Sequence, residues 1–183
     1  EVDGGDKLRA AYVKQEDNMF PQMTVLETLT LRAGLKYGSV LGKNGRIDVV
    51  NGVLEGMDLV KCKDGKVGDA KVRGVSGGER KRLSVGMQIM DGENIIMLDE
   101  PTSGLDSFQA ERVVKVLKRL AVEEGRTVVV VIHQPSMKVL NMFDDLILMS
   151  EGMTVYQGPV REFESFAKSV LGGKEGKRGE GES

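Results

Sequence analysis

A short apolar run that ends on two charges constrains this chain more than any other feature: Ile95-Ile96-Met97-Leu98 leads directly into Asp99 and Glu100, and a Pro-Thr-Ser-Gly turn follows. Charge is costly inside a core. A buried strand can finish on adjacent carboxylates where it emerges at the carboxyl edge of a parallel sheet, the crevice in which α/β proteins bind ligands. The surrounding pattern agrees. It predicts a helix over 78–90, a strand over 94–99, a helix over 107–124 and a strand over 127–132, then a short helix over 136–142, strands near 145–150 and 153–157, and a last helix over about 159–171. Such alternation implies an α/β layer with a mainly parallel sheet. The last helix starts at Pro159 and places Phe163, Phe166 and Val170 on one face.

Ahead of this region, "LRAAYVKQ" reads as a short strand. Thr24 followed by Glu27 forms a capping-box pattern that predicts a helix from about Val25 to Leu35. Residues 36–50 are glycine-rich, and "IDVVNGVLEGMDLVKCKD" returns to helical spacing, so residues 25–75 read as a small helical insert. The tail, 172–183, is Gly-rich with charges of both signs, a composition expected to be disordered. The opening residues have neither an initiator Met nor a signal-peptide core, and read as the interior of a longer chain.

The 183 residues suit one domain or most of one. A net charge of -2, with 26 basic against 28 acidic residues, excludes a whole-molecule nucleic-acid binder and a polybasic membrane anchor. Cys62, the single cysteine, excludes an internal disulfide framework and lacks the electropositive setting of a nucleophile. The apolar runs 128–132 and 146–149 are far shorter than the ~20 residues that cross a bilayer.

Two carboxylates at a sheet edge have two distinct uses. Asp99 can hold Mg2+ through its water shell, while Glu100 can orient or deprotonate a water for in-line attack on a γ-phosphate. The plainer alternative is that the pair only caps the following turn. Upstream, in "VSGGERKRLSVG" (75–86), Ser76 can cap a helix, and Gly77 and Gly78 let backbone N–H groups approach an anion at a helix N-terminus. Arg80, Lys81 and Arg82 are assigned to a solvated face.

"VSGGERKRLSVG", then "NIIMLDEPTSGLDS", then "VVVVIHQPS" resembles, in order and spacing, the signature motif, Walker B strand, D-loop and switch histidine of an ABC nucleotide-binding domain. With "AYVKQEDNMFPQMTVLETL" before them, the wording is similar to the G subfamily, the White/pleiotropic-drug-resistance-like transporters. The resemblance covers about residues 8–170. It implies a P-loop NTPase-like ABC ATPase fold, N-terminally incomplete in these residues, with ATP and Mg2+ as ligands.

The resemblance also assigns roles. Glu100 would be the general base, His133 the γ-phosphate contact, and Gln15 the Q-loop glutamine that meets metal and attacking water. Asp99 would support Mg2+ together with Gln15. Ser76, Gly77, Gly78 and Glu79 would serve a partner's ATP; Glu79 stands where many cassettes have Gln, a mark of the subfamily. Ser103 and Asp106, with Gly104 and Leu105, would form the D-loop at a dimer interface, Asp106 also capping the helix from Ser107. The implied partners are a second nucleotide-binding domain, as homo- or heterodimer, and a transmembrane domain to which the insert couples, with no nucleic acid and with this domain on the cytosolic face of a membrane.

No Gly-x-x-x-x-Gly-Lys-Ser/Thr occurs in the 183 residues; "GSVLGKNG" at 38–45 has the wrong spacing and Asn44 in place of the hydroxyl. The chain alone is therefore expected to bind ATP weakly or not at all. Two other functions compete with the transport-coupled ATPase. One is a truncated, catalytically incompetent cassette acting as a dimerisation or regulatory partner. The other is a soluble ABC ATPase of DNA repair or translation, against which stand "IHQPS" and the lack of a basic stripe.

Overall fold

A computed structural model describes residues 9–15, 19–90 and 92–172. The expected tail lies outside them, apart from the backbone of Gly172. Contacts divide the chain after Gln134. The first unit runs β1 (Ala10–Val13), α1 (Val25–Tyr37), α2 (Lys43–Gly56), a 3-10 turn (Val60–Cys62), α3 (Gly77–Gln88), β2 (Ile95–Asp99), α4 (Ser107–Glu123) and β3 (Thr127–Val131). The second holds α5 (Met137–Leu140), β4 (Asp145–Ser150), β5 (Met153–Pro159) and α6 (Val160–Gly172).

In the first unit β1, β2 and β3 form a parallel sheet with β2 in the centre. Parallel neighbours need crossover connections, and the helices supply them. Register sets Val13 beside Leu98 and Leu98 beside Val130, on the face covered by α3 and α4. The alternate residues Tyr12, Met97 and Val129 form a row on the other face, and all three are exposed.

The insert shares this core. Val25, Leu29 and Ala33 of α1 and Val50, Leu54 and Met57 from α2 and its end join Leu83, Ile96, Leu98 and Leu117 in one apolar cluster. Each buried Val, Leu, Ile or Met side chain of this cluster contributes about 1.5–3 kcal/mol. The Thr24–Glu27 capping box starts α1 as expected: Glu27 N–H donates to Thr24 Oγ1 (3.1 Å) and Thr24 N–H to Glu27 Oε2 (2.8 Å). Helix α2 begins earlier than the apolar spacing predicted, at Lys43, so "GSVLGKNG" is the turn that follows α1 and the first residues of α2. Where α3 crosses α2, a Cβ on Gly86 would stand 2.7 Å from Val53 Cγ1 and 3.0 Å from Met57 Cγ, so a larger residue would force these side chains to shift.

The second unit is a hairpin with a helix. Glu151 and Gly152, both at positive φ, make the two-residue turn between β4 and β5. Tyr156 of β5 meets Phe163 edge-on at 5.3 Å and lies 4.9 Å from Phe166. Val170, expected on the same face, is exposed.

Candidate functional site

Three parallel strands deliver three residues to one edge. Gln15 lies just past β1, Glu100 just past β2 and His133 just past β3. Gln15 Nε2 donates to Glu100 Oε2 at 2.9 Å, and His133 Nε2 stands 3.1 Å from Glu100 Oε1. Both carboxylate oxygens of Glu100 are thus engaged from the flanking strands. Gln15 Nε2 also reaches Ser103 Oγ at 3.5 Å, and Ser103 N–H donates to the Glu100 carbonyl at 3.1 Å, which folds the turn over the site.

Glu100 has φ +45° and Gln134 has φ +43°. Non-glycine residues there carry strain, which clusters at functional sites. Beside them, Tyr12 OH donates to Asp99 Oδ2 at 3.3 Å. The Asp99 charge, then burial and this hydrogen bond, raise the phenol's pKa, so Tyr12 remains a donor.

The available ligands are hard oxygens: the Asp99 carboxylate and the amide oxygen of Gln15, whose nitrogen is committed to Glu100. Among the described residues no group of three or more His, Cys, Asp or Glu could hold a metal alone. This donor set fits a cation that keeps waters and takes phosphate oxygens, as Mg2+ does.

The start of α3 is built by a second capping box. Ser76 N–H donates to Glu79 Oε2 (2.8 Å) and Glu79 N–H to Ser76 Oγ (3.3 Å). Burial pushes the Glu79 carboxyl pKa up, but the Ser76 hydrogen bonds and the charge of Arg82 outweigh it and hold it below the usual value. Gly78 N–H donates to Gln109 Oε1 (2.9 Å), and Gln109 Nε2 donates to Asp106 Oδ2 (2.9 Å). Asp106 caps α4 as expected, accepting from Gln109 N–H at 2.8 Å. Gln109 thus joins the glycine turn to the turn after the carboxylates. A Cβ on Gly78 would lie 3.2 Å from Gln109 Cβ, so the glycine permits this approach.

Sequence reasoning missed Gln109 and Tyr12, and no local pattern marks either. It also missed that Ser-x-x-Glu at 76–79 repeats the capping pattern of 24–27, a signal that was present. The basic run is a correction. Lys81 and Arg82 are buried, not solvated: Lys81 Nζ donates to the carbonyls of Lys14 (3.0 Å) and Gln15 (2.9 Å), and Arg82 Nε to that of Met57 (2.9 Å). Strand and helix ends offer unpaired carbonyls, and these long cations satisfy them. Arg119 likewise donates to the Gly56 carbonyl, and Arg112 pairs with Asp58.

A parallel sheet with an Asp-Glu pair, a glutamine and a histidine at its carboxyl edge defines an α/β ATP-binding cassette. The comparisons agree. The "ABC transporter" family profile matches residues 6–103, and an "ABC-2 type transporter" profile matches 133–172. Therefore the chain belongs to the ABC transporter family.

It is 48% identical over 151 residues to ABC transporter G family member 7 of Arabidopsis thaliana, covering 82% of this chain and 21% of that protein. It is 41% identical to G family member 1 of Dictyostelium discoideum, covering 83% and 19%. The chain thus spans about a fifth of the length of these relatives. A dimeric ATP-binding cassette, MJ0796, bound to ADP and Pi in a post-hydrolysis state superimposes with TM-score 0.64 at 27% identity, covering 84% of this chain and 63% of that one. CbiO1 from Clostridium perfringens shares the fold, with TM-score 0.74 at 21% identity, covering 91% of this chain and 63% of that one. Among the described residues no helix is long and apolar enough to cross a membrane.

Proposed function

We propose that this chain is part of the ATP-hydrolysing cassette of a G-family ABC transporter, coupling Mg-ATP hydrolysis to movement of a substrate across a membrane. The observation that carries this reading is Glu100, held between Gln15 and His133 where three parallel strands end. Glu100 accepts the proton of the attacking water, Gln15 aligns that water, and His133 turns to the γ-phosphate. Mg2+, when bound, neutralises charge on the transferred phosphoryl group, and Asp99 and Gln15 are the residues that would hold it.

Ser76, Gly77, Gly78 and Glu79 serve the nucleotide of a second cassette, and Ser103 and Asp106 lie in the turn that meets that partner. The dimeric form of MJ0796, a cassette of the same fold, supports this. A transmembrane domain is the other partner, with the insert, about residues 25–75, as the coupling part, and it places this cassette on the cytosolic face.

In the full-length protein, Glu100→Gln keeps the carbonyl oxygen but loses the base. ATP binding should persist while turnover falls by roughly 10^2 to 10^4. Undiminished hydrolysis in single-turnover assays would remove Glu100 from this role.

A further inference from the structure

Lys81 is 6% exposed, and its ammonium is held by two consecutive backbone carbonyls, Lys14 and Gln15. The pairing of β1 with β2 ends at Val13, so those carbonyls have passed beyond the sheet's hydrogen-bond ladder. Lys81 lies one turn into α3, four residues after Gly77, on the face above the glycine turn. The side chain of Gln15 in turn grips Glu100. One unbroken path therefore runs from the start of α3, through Lys81 and the Gln15 backbone, to the Gln15 amide and the carboxylate.

From this path we infer that Lys81 is a positioning residue that ties the placement of Gln15, and through it the orientation of Glu100, to the placement of α3. The inference deepens the reading proposed above and rests on it for the role of Glu100. Its consequence is mechanical. A shift of α3 on meeting the second cassette's nucleotide is transmitted within the same subunit to its own catalytic edge. A shorter or neutral apolar side chain at position 81 leaves Gln15 in place on average but no longer held.

The test compares wild type, Lys81→Met, Lys81→Gln and Lys81→Arg in the full-length protein. It measures kcat, the KM for ATP, and hydrogen exchange of the backbone N–H groups of Tyr12 to Gln15. Lys81→Met should lower kcat roughly tenfold to a hundredfold, the range expected when a catalytic group is slightly misplaced, with KM changed by less than about twofold. Exchange at Tyr12–Gln15 should rise. Lys81→Arg should restore both, because a guanidinium carries enough donors for the two carbonyls.

Wild-type kcat in Lys81→Met overturns the inference. So does a lower kcat with unchanged exchange, since the lysine would then act by another route. If the Met variant does not fold, Lys81→Gln, whose shorter side chain cannot reach both carbonyls, should show exchange above that of wild type, and wild-type exchange in that variant overturns the inference. A wild-type protein without ATPase activity refutes the functional reading instead, and the exchange comparison still decides whether Lys81 holds Gln15.

Discussion

Glu100 carries two local costs at once, a charge at the end of a buried strand and a backbone at φ +45°. Both suit the role we propose for Glu100 as the base for the attacking water. Cys62 shows the opposite use of a reactive atom. Burial, then the nearby Glu79 charge, pushes its thiol pKa up to about 11. At neutral pH its thiolate fraction is lower than that of a free cysteine by roughly two decades, and alkylation should be slower in proportion. The rate should climb until about pH 11. A rate at pH 7.5 equal to that of free cysteine would show that the thiol is not screened as the structure has it.

Among elements, α3 is where stability and the proposed function share residues. Its capping box uses Ser76 and Glu79, and Glu79 also faces Arg82. Because the Glu79 pKa is lowered in the fold, its contribution is complete above the ordinary value of 4.5 and is lost as pH falls through the folded value. Glu79→Gln can keep the hydrogen bond but not the charge. It should reduce stability at pH 7 by less than about 1 kcal/mol, because solvent screens this partly exposed group. The variant and wild type should converge in urea titrations at low pH. A gap that persists at pH 2 would mean that the carboxylate's charge is not what matters. Ser76→Ala should cost about 1 kcal/mol at pH 7 and less at pH 2, because the Ser76 hydroxyl also helps to hold the Glu79 pKa down.

At the scale of the first unit, one face of the parallel sheet is uncovered among the described residues. Tyr12, Met97, Val129 and Val131 are 40–54% exposed, although β3 is a continuous apolar run of the kind that parallel sheets bury on both sides. An apolar patch of this kind binds hydrophobic dyes or a partner surface. The 183-residue chain should enhance ANS fluorescence strongly, and Met97→Lys with Val129→Lys should suppress most of the signal. No enhancement in wild type would show the face covered in solution.

What could be read from residues alone was whatever local chemistry decides. Capping boxes, the alternation of apolar runs, and the Asp99-Glu100 strand end all depend on neighbours within a few positions. What the tertiary structure decided is which distant groups meet. Gln15 and Glu100 are 85 positions apart, and Gly78 reaches Gln109 across 31. Lys81 and Arg82 read as surface charges, because a sequence does not display the carbonyls left over where a strand or helix stops. Only when β1, α2 and α3 come together do those carbonyls face the two cations and make their burial favourable.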